Sequence, residues 1–364
     1  EGELFIDIAA LCSQAGARFI RGSLHAVDSV ERTLTIHHKV VSSNPLILKF
    51  DNCVLNTGAS PADSFPNRHQ HCYYVKPIRD LLRVLPLLDQ ITDNPDPSMA
   101  IVGGGAAGVE LAFAFRERYR PDCEITIISR YRFENDPSLK AGADQIRRSL
   151  MERDINLIDE RSVVEVRETG VVLDSGQTIP AKAICIATPV GPPSWIAQSS
   201  LPTNEGFLRV DQMLRVQGTQ CLYAAGDIVS LETPRGRSGV MAVRAGQYLA
   251  EAIWTKLKGL RPKTFNPQKH WLTLLNLGDG KAIGIRGSFV ARGRLMFRLK
   301  DAIDRQFMRQ YSPQAHLKGG VMRCEGCAAK LPGMTLQTAF SQHFEDAAID
   351  YDSNRMRFRS IDAL

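Results

Sequence analysis

The feature that most restricts this chain is the run Gly103-Gly104-Gly105-Ala106-Ala107-Gly108, set between an apolar, strand-like segment at residues 99–102 and a long apolar stretch from 106 to about 119. The spacing fits G-x-G-x-x-G in the strand, turn and helix context that gives the pattern its meaning. There the first glycine (Gly103) permits a tight turn, the second (Gly105) lets backbone approach a pyrophosphate, and the third (Gly108) allows close packing of helix on strand. The ligand's charge then rests on the positive end of the helix. A second strand, Glu124–Ile128, follows, so a βαβ unit in a parallel sheet covered on both faces is expected.

Such units discriminate between nucleotides at the end of the second strand, where an acidic side chain takes the ribose hydroxyls. This chain has Ser129-Arg130 there. The absent acid and the guanidinium of Arg130 favour a 2′-phosphate, hence NADPH. Glu134 nearby is the opposing signal, and a solvated strand-end charge is the other reading of Arg130.

Around this unit the chain is punctuated. Residues 94–98, Asn-Pro-Asp-Pro-Ser, read as a linker because two prolines forbid helix. Before it lie a helical pattern (Leu4, Ile8, Leu11, Cys12), strand-like runs at 17–20, 33–37 and 46–50, and Cys53-Val54-Leu55 running into Asn56-Thr57-Gly58-Ala59, a turn at a sheet edge. After the glycine-loop helix come a helix near 141–153, a strand at 155–158, a hairpin-like stretch over 163–179 and a strand at 183–187. Further on, residues 221–225 form an apolar strand that runs into Gly226-Asp227. That places a carboxylate at a strand's carboxyl end, where open α/β sheets bind ligands and where Asp227 can accept from a ribityl hydroxyl of FAD. A helix-capping Asp is the competing reading.

Composition sets outer limits. With 44% apolar and 23% charged residues in 364, the chain is globular and long enough for two or three domains. The longest apolar runs are strand-sized, far below the roughly 18 residues of a membrane span. Eight scattered cysteines fit a reducing, cytoplasmic setting. Residues 261–323 hold 13 Lys/Arg against 3 Asp/Glu in a chain of net charge +6. Basicity is therefore local. A solvated face handling cofactor phosphates is favoured over contact with nucleic acid, which is not expected, and peripheral membrane contact stays open.

Taken together, Asn56-Thr57-Gly58-Ala59, Val75-Lys76-Pro77-Ile78 with Asp80, Gly103 to Glu110, Ala187-Thr188-Pro189 and residues 223–227 resemble the flavoproteins with two dinucleotide folds, especially type II NADH dehydrogenases and their disulfide-reductase relatives. The likeness covers about residues 1–311. It implies that Gly226 and Asp227 contact FAD, that Thr57 and Gly58 are cofactor-binding, and that Glu110 lies near the stacked nicotinamide and flavin rings. Two departures accompany it: Ala187-Thr188-Pro189 has proline where the family has glycine, which is expected to loosen that turn, and the family's first glycine loop is not present, so the first domain is expected to be incomplete and FAD binding impaired. Cys53, Cys123 and Cys185 read as core residues, not as a redox pair.

The end of the chain carries a different signal. Cys324 and Cys327 suit half a zinc site, but no second cysteine pair completes it. Cys327 with Lys330 instead resembles the Cys-x-x-Lys of selenophosphate synthetase (selenide, water dikinase). Residues 345–349, Glu-Asp-Ala-Ala-Ile, and 360–362, Ser-Ile-Asp, resemble the metal-binding runs that follow in that family. The resemblance implies catalytic roles for Cys327 and Lys330, Mg²⁺ at Asp346 and Asp362, ATP and selenide as substrates, and a homodimer through the C-terminal domain. About 46 residues of that domain are present, too few to enclose ATP.

The expected class is α/β, with two Rossmann-like dinucleotide-binding domains of the FAD/NAD(P) flavoprotein type followed by the start of an α+β domain. The divisions expected are 1–93 partial FAD-binding, 94–190 NAD(P)H-binding, 191–260 returning FAD-binding segment, 261–318 basic connecting or interface region and 319–364 the start of a selenophosphate synthetase domain. The expected function is an NAD(P)H oxidoreductase using FAD, with an unknown electron acceptor, fused to selenide, water dikinase. The alternatives are a membrane-surface quinone reductase docking through residues 295–307, and a nucleotide-sensing module without flavin.

Overall fold

Short strands with continuous apolar runs become buried on both faces, and this chain has a set of them. In the computed structural model they form a five-stranded parallel sheet in the order Cys72–Tyr74, Ala183–Ile186, Ser98–Val102, Glu124–Ile128, Ile155–Ile158. The structure describes residues 6–37, 44–61, 72–93, 95–119, 122–232, 237–268 and 271–311. Alternation along the strands sorts their side chains between two layers. Met99, Ile101, Ile125 and Ile127 share a core with the helices Ile78–Thr92, Ala106–Arg118 and Ala143–Met151. Ala100, Val102, Ile128, Ile184 and Ile186 face an antiparallel layer built from Val163–Arg167, Gly170–Leu173 and Thr178–Pro180.

The helix Ala106–Arg118 is buried almost all round, from Gly108 through Arg116 apart from Glu110. A helix apolar on every side needs neighbours on every side. Its second neighbour is an antiparallel sheet of Thr273–Asn276, Ala282–Arg286 and Phe289–Gly293, whose Leu275, Leu277, Ile283 and Ile285 join the same core. The helix Arg294–Gln310 packs on that sheet. Ion pairs Arg153–Asp279 (2.6 Å) and Arg292–Glu152 (2.6 Å) reinforce the contact.

A second unit is built around two parallel strands, Cys53–Leu55 and Leu222–Ala224, with the helix Gly239–Leu257. Its core contains Leu55, Trp195, Leu208, Leu222, Ile228 and Leu249. A meander of Ser23–Asp28, Thr33–His37 and Leu46–Lys49 packs against it through Val27, Leu24 and Leu34.

Two sequence expectations are corrected here. Residues 17–20 form no strand; the first strand is Ser23–Asp28. A domain boundary at 93/94 cuts through one unit, because Cys72–Tyr74 pairs with Ala183–Ile186 and Leu81, Leu85 and Leu88 lie in the nucleotide-type core. Residues 95–97 thus join a helix to a strand within that unit. The basic region expected at 261–318 forms, where it is described, a folded sheet and helix, and the sheet covers the central helix. Residues 319–364, with Cys327, Lys330, Asp346 and Asp362, lie outside the described residues.

Candidate functional site

The strand Ser98–Val102 delivers the glycine loop to the carboxyl edge of the sheet, where each glycine answers a different demand. At Gly103 φ is +125°, and a Cβ would stand 2.5 Å from the Ala187 carbonyl oxygen. At Gly108 a Cβ would stand 1.9 Å from the Gly103 carbonyl oxygen. Both are required by the protein's own packing. Gly104, a free position in the motif, also lacks room, since its Cβ would meet Ser129 Oγ at 2.3 Å. Gly105 differs: no atom lies within 4 Å of its Cβ position, and as N-cap of Ala106–Arg118 it offers no side-chain cap to the first-turn amides. Open space before uncapped helix amides suits a pyrophosphate.

The other pair of signals meets at the second unit's strand ends. Parallel pairing sets Leu55 beside Ala224, and the Ala225 amide donates to the Leu55 carbonyl at 3.0 Å. Asn56-Thr57-Gly58 therefore lies beside Gly226-Asp227. At Gly226, φ +76°, a Cβ would come within 2.5 Å of Asn56 Oδ1, whereas Gly58, φ +72°, has open space around its Cβ position. Trp195 Nε1 donates to Thr57 Oγ1 at 3.0 Å and fixes the turn. Asp227 is partly exposed, its carbonyl accepts from Arg237 Nε at 3.1 Å, and its carboxylate makes no hydrogen bond among the described residues. A free carboxylate beside an open, glycine-lined turn fits a hydroxylated ligand such as the ribityl chain of FAD.

Glu110 stands two residues beyond Gly108 on the central helix. Its Oε1 accepts from the Asn276 amide at 2.9 Å and lies 3.6 Å from Lys300 Nζ, which is also 3.6 Å from Asp304 Oδ2. Burial works against the charge on Lys300, but Glu110 and Asp304 outweigh it and hold the ammonium's pKa above the usual lysine range. The helix spacing Lys300-x-x-x-Asp304 was visible in the sequence, but its meeting with Glu110 was not. Lys300→Met is expected to destabilise the chain by about 3–5 kcal/mol, because it removes the buried cation that stands between the carboxylates of Glu110 and Asp304. Urea unfolding checks this; a loss of about 1 kcal/mol or less, the size of a surface pair, would contradict it. The raised pKa implies stability that is full below the unfolded lysine value of about 10.4 and lost as pH rises through the folded one.

At the far side of the glycine loop, Arg130 is exposed and its Nε donates to Ser162 Oγ at 3.1 Å. Glu134 is held by Arg147, whose two terminal nitrogens donate to its carboxylate at 2.6 and 2.9 Å. Those bonds pull its pKa down to about 2. Cys123 and Cys185 are buried and Cys53 is partly buried; burial raises all three thiols, Cys53 and Cys123 to about 11, which leaves them protonated at neutral pH. Among the described residues no cluster of His, Cys, Asp and Glu is arranged to hold a metal.

A glycine loop at one strand end and a Gly-Asp turn beside Asn-Thr-Gly at another define the Rossmann-type fold that binds two dinucleotides, FAD and NAD(P). The chain belongs to the pyridine nucleotide-disulphide oxidoreductase family, which matches residues 11–247. It is 28% identical over 222 residues to human ferroptosis suppressor protein 1, an alignment covering 57% of each chain. It is 25% identical over 304 residues to demethylphylloquinone reductase NdbB of Synechocystis, covering 79% of this chain and 72% of that one. The first of these relatives is thus spanned over little more than half its length. In fold it resembles sulfide:quinone oxidoreductase from Aquifex aeolicus (TM-score 0.71, 14% identity, 88% of this chain and 83% of that one). A second solved neighbour is NDH2 from Plasmodium falciparum in complex with NADH (TM-score 0.68, 16% identity, 80% of each).

Proposed function

We propose that this chain is the electron-transfer part of an FAD-dependent NAD(P)H oxidoreductase of the type II NADH dehydrogenase kind, within a longer protein that continues as a selenide, water dikinase. One observation carries the first half: Gly105 has open space at its Cβ position at one strand end, and Gly58 has it at another, beside the partly exposed Asp227. NAD(P)H is held by Gly103, Gly105 and Gly108, and FAD by Thr57, Gly58, Gly226 and Asp227. When bound, the flavin supplies the group that accepts hydride from nicotinamide. The chain's own residues act by binding and positioning. The glycine loop seats pyrophosphate on the helix amides, and Glu110, fixed by Asn276 and Lys300, holds a carboxylate near the start of the same helix. The names of the relatives include quinone reductases, which makes a quinone a suitable first acceptor to try.

The test is purification of the full-length protein, absorbance in the flavin bands, and NAD(P)H oxidation with a soluble quinone. Flavin absorbance and turnover support the reading. A colourless protein that still binds nucleotide would point to the flavin-free sensor instead.

The dikinase half rests on Cys327, Lys330, Asp346 and Asp362, with ATP, Mg²⁺ and selenide as the implied ligands. A protein extended past Leu364 is expected to convert ATP and selenide to selenophosphate. Cys327→Ala, Lys330→Ala or Asp346→Ala should each abolish this and leave NADH oxidation intact. Loss of NADH oxidation alone in the Cys327 variant would overturn the assignment and indicate a Cys324–Cys327 thiol pair accepting electrons.

A membrane-surface reading is favoured by the helix Arg294–Gln310, whose Leu295, Leu299 and Ile303 are exposed at i, i+4 and i+8. Its acids, Asp301 and Asp304, pair with Arg305 and Lys300, so Arg294, Arg298 and Arg309 flank an apolar stripe. No described helix is long and apolar enough to cross a membrane. Co-sedimentation with anionic liposomes, lost at high salt, would support surface binding; no pellet at low salt would remove it.

A further inference from the structure

We infer that Arg130 and Arg161, at the carboxyl ends of neighbouring strands, form a site for the 2′-phosphate of an adenosine dinucleotide, so that NADPH binds in preference to NADH. The inference rests on the assignment of residues 103–108 to a nicotinamide dinucleotide.

Four observations carry it. The strand Glu124–Ile128 is followed by Ser129, whose hydroxyl donates at 2.6 Å to the Tyr131 carbonyl, so a short, internally bonded side chain stands where an acid would take ribose hydroxyls. Next, the Arg161 amide donates to the Ser129 carbonyl at 3.1 Å, which brings the turn after Ile155–Ile158 alongside the Ser129-Arg130 turn. Third, Arg130 is steadied through Nε by Ser162 Oγ, and its two terminal nitrogens make no hydrogen bond among the described residues. Ser162 is itself anchored, since its amide donates to Asp174 Oδ2 at 3.1 Å. Arg161 uses Nη1 on the Glu160 carbonyl at 2.8 Å, and its Nε and Nη2 make no hydrogen bond among the described residues.

The fourth observation concerns the acids. A carboxylate at this rim would repel a 2′-phosphate, and four stand on the elements around it: Glu134, Asp159, Glu160 and Asp174. Glu134 is engaged by Arg147; Asp159 lies 3.1 Å from Arg147 and 4.0 Å from Arg132. Asp174 accepts from the Ser162 amide. Among the described residues Glu160 and Asp174 form no ion pair, and Asp174 is engaged by the Ser162 amide, against the two guanidinium groups of Arg130 and Arg161. Planar guanidinium groups with free donors on a steadied stem match a phosphate dianion in charge and geometry.

The experiment is equilibrium titration of the full chain with NADPH, NADH and 2′,5′-ADP, followed by the same titrations of Arg130→Glu, Arg161→Glu and the double variant. The native chain is expected to bind NADPH roughly tenfold or more tightly than NADH, as charge-assisted contacts of this kind provide. The ratio should fall towards one in the double variant and part-way in each single one, and 2′,5′-ADP should compete with NADPH only where the arginines are present. Equal affinities in the native chain, or loss of both nucleotides by the same factor in the variants, overturns the inference and leaves the nucleotide assignment standing. Binding of neither nucleotide by the native chain overturns both.

Discussion

A Gly105→Asp variant is expected to lose NAD(P)H binding while unfolding at the same urea concentration as the parent chain, or slightly above it. The two halves of that expectation have separate causes. Gly105 is the N-cap of Ala106–Arg118 in ordinary extended backbone, φ −70° and ψ 176°, and nothing lies within 4 Å of its Cβ position. Aspartate is among the best N-cap residues, so the helix gains a few tenths of a kcal/mol or loses nothing. The same side chain fills the space through which a pyrophosphate would approach the helix amides and adds a negative charge there. Nucleotide titration and urea unfolding on one preparation check both halves. Unchanged NAD(P)H affinity would sink the assignment of the loop, and a large loss of stability would show that the space at Gly105 is not open.

Gly108→Val, three residues along the same helix, is expected to do the reverse. Its Cβ would stand 1.9 Å from the Gly103 carbonyl oxygen, far inside van der Waals contact, and the obstacle is backbone that cannot swing aside. Helix and strand must separate, and with them Val109, Phe113 and Phe115 leave a core shared with both covering layers. The expected cost is about 3 kcal/mol or more, at the upper end for overpacking. The measurement is the urea midpoint, or the soluble yield if the variant does not fold. A variant that melts like the parent would show that the helix and strand do not need this close approach. The contrast between the two glycines separates the ligand's demand from the protein's own demand within one motif.

Much of the nucleotide-type unit was legible in the sequence because its signals are local. The apolar strands, the glycine spacing and the helix that follows lie within about thirty residues, and the helix Ala106–Arg118, the strand Glu124–Ile128 and the strand Ile155–Ile158 fall where periodicity placed them. The Gly226-Asp227 turn was legible for the same reason. The boundary at 93/94 failed because proline punctuation marks a break in backbone regularity, not a break in packing, and Leu85 and Leu88 cross it into one core. In the basic region the charge hid the packing. Arginines on one face of Arg294–Gln310 masked the other face, where Phe297, Lys300 and Asp304 are buried.

The sequence by itself determined which strand ends carry glycine turns, and that Ser129-Arg130 stands without an acid at one of them, because each of these depends on residues adjacent along the chain. Only the tertiary structure decided that Asn56-Thr57-Gly58 meets Gly226-Asp227 across some 170 residues. The same holds for Lys300 standing between Glu110 and Asp304, and for Arg161 coming beside Arg130. The physical reason is that strand pairing and burial of the central helix on both faces are set by which apolar surfaces cover one another, and polar groups such as Glu110, Lys300 and Arg161 are carried to their partners by that packing.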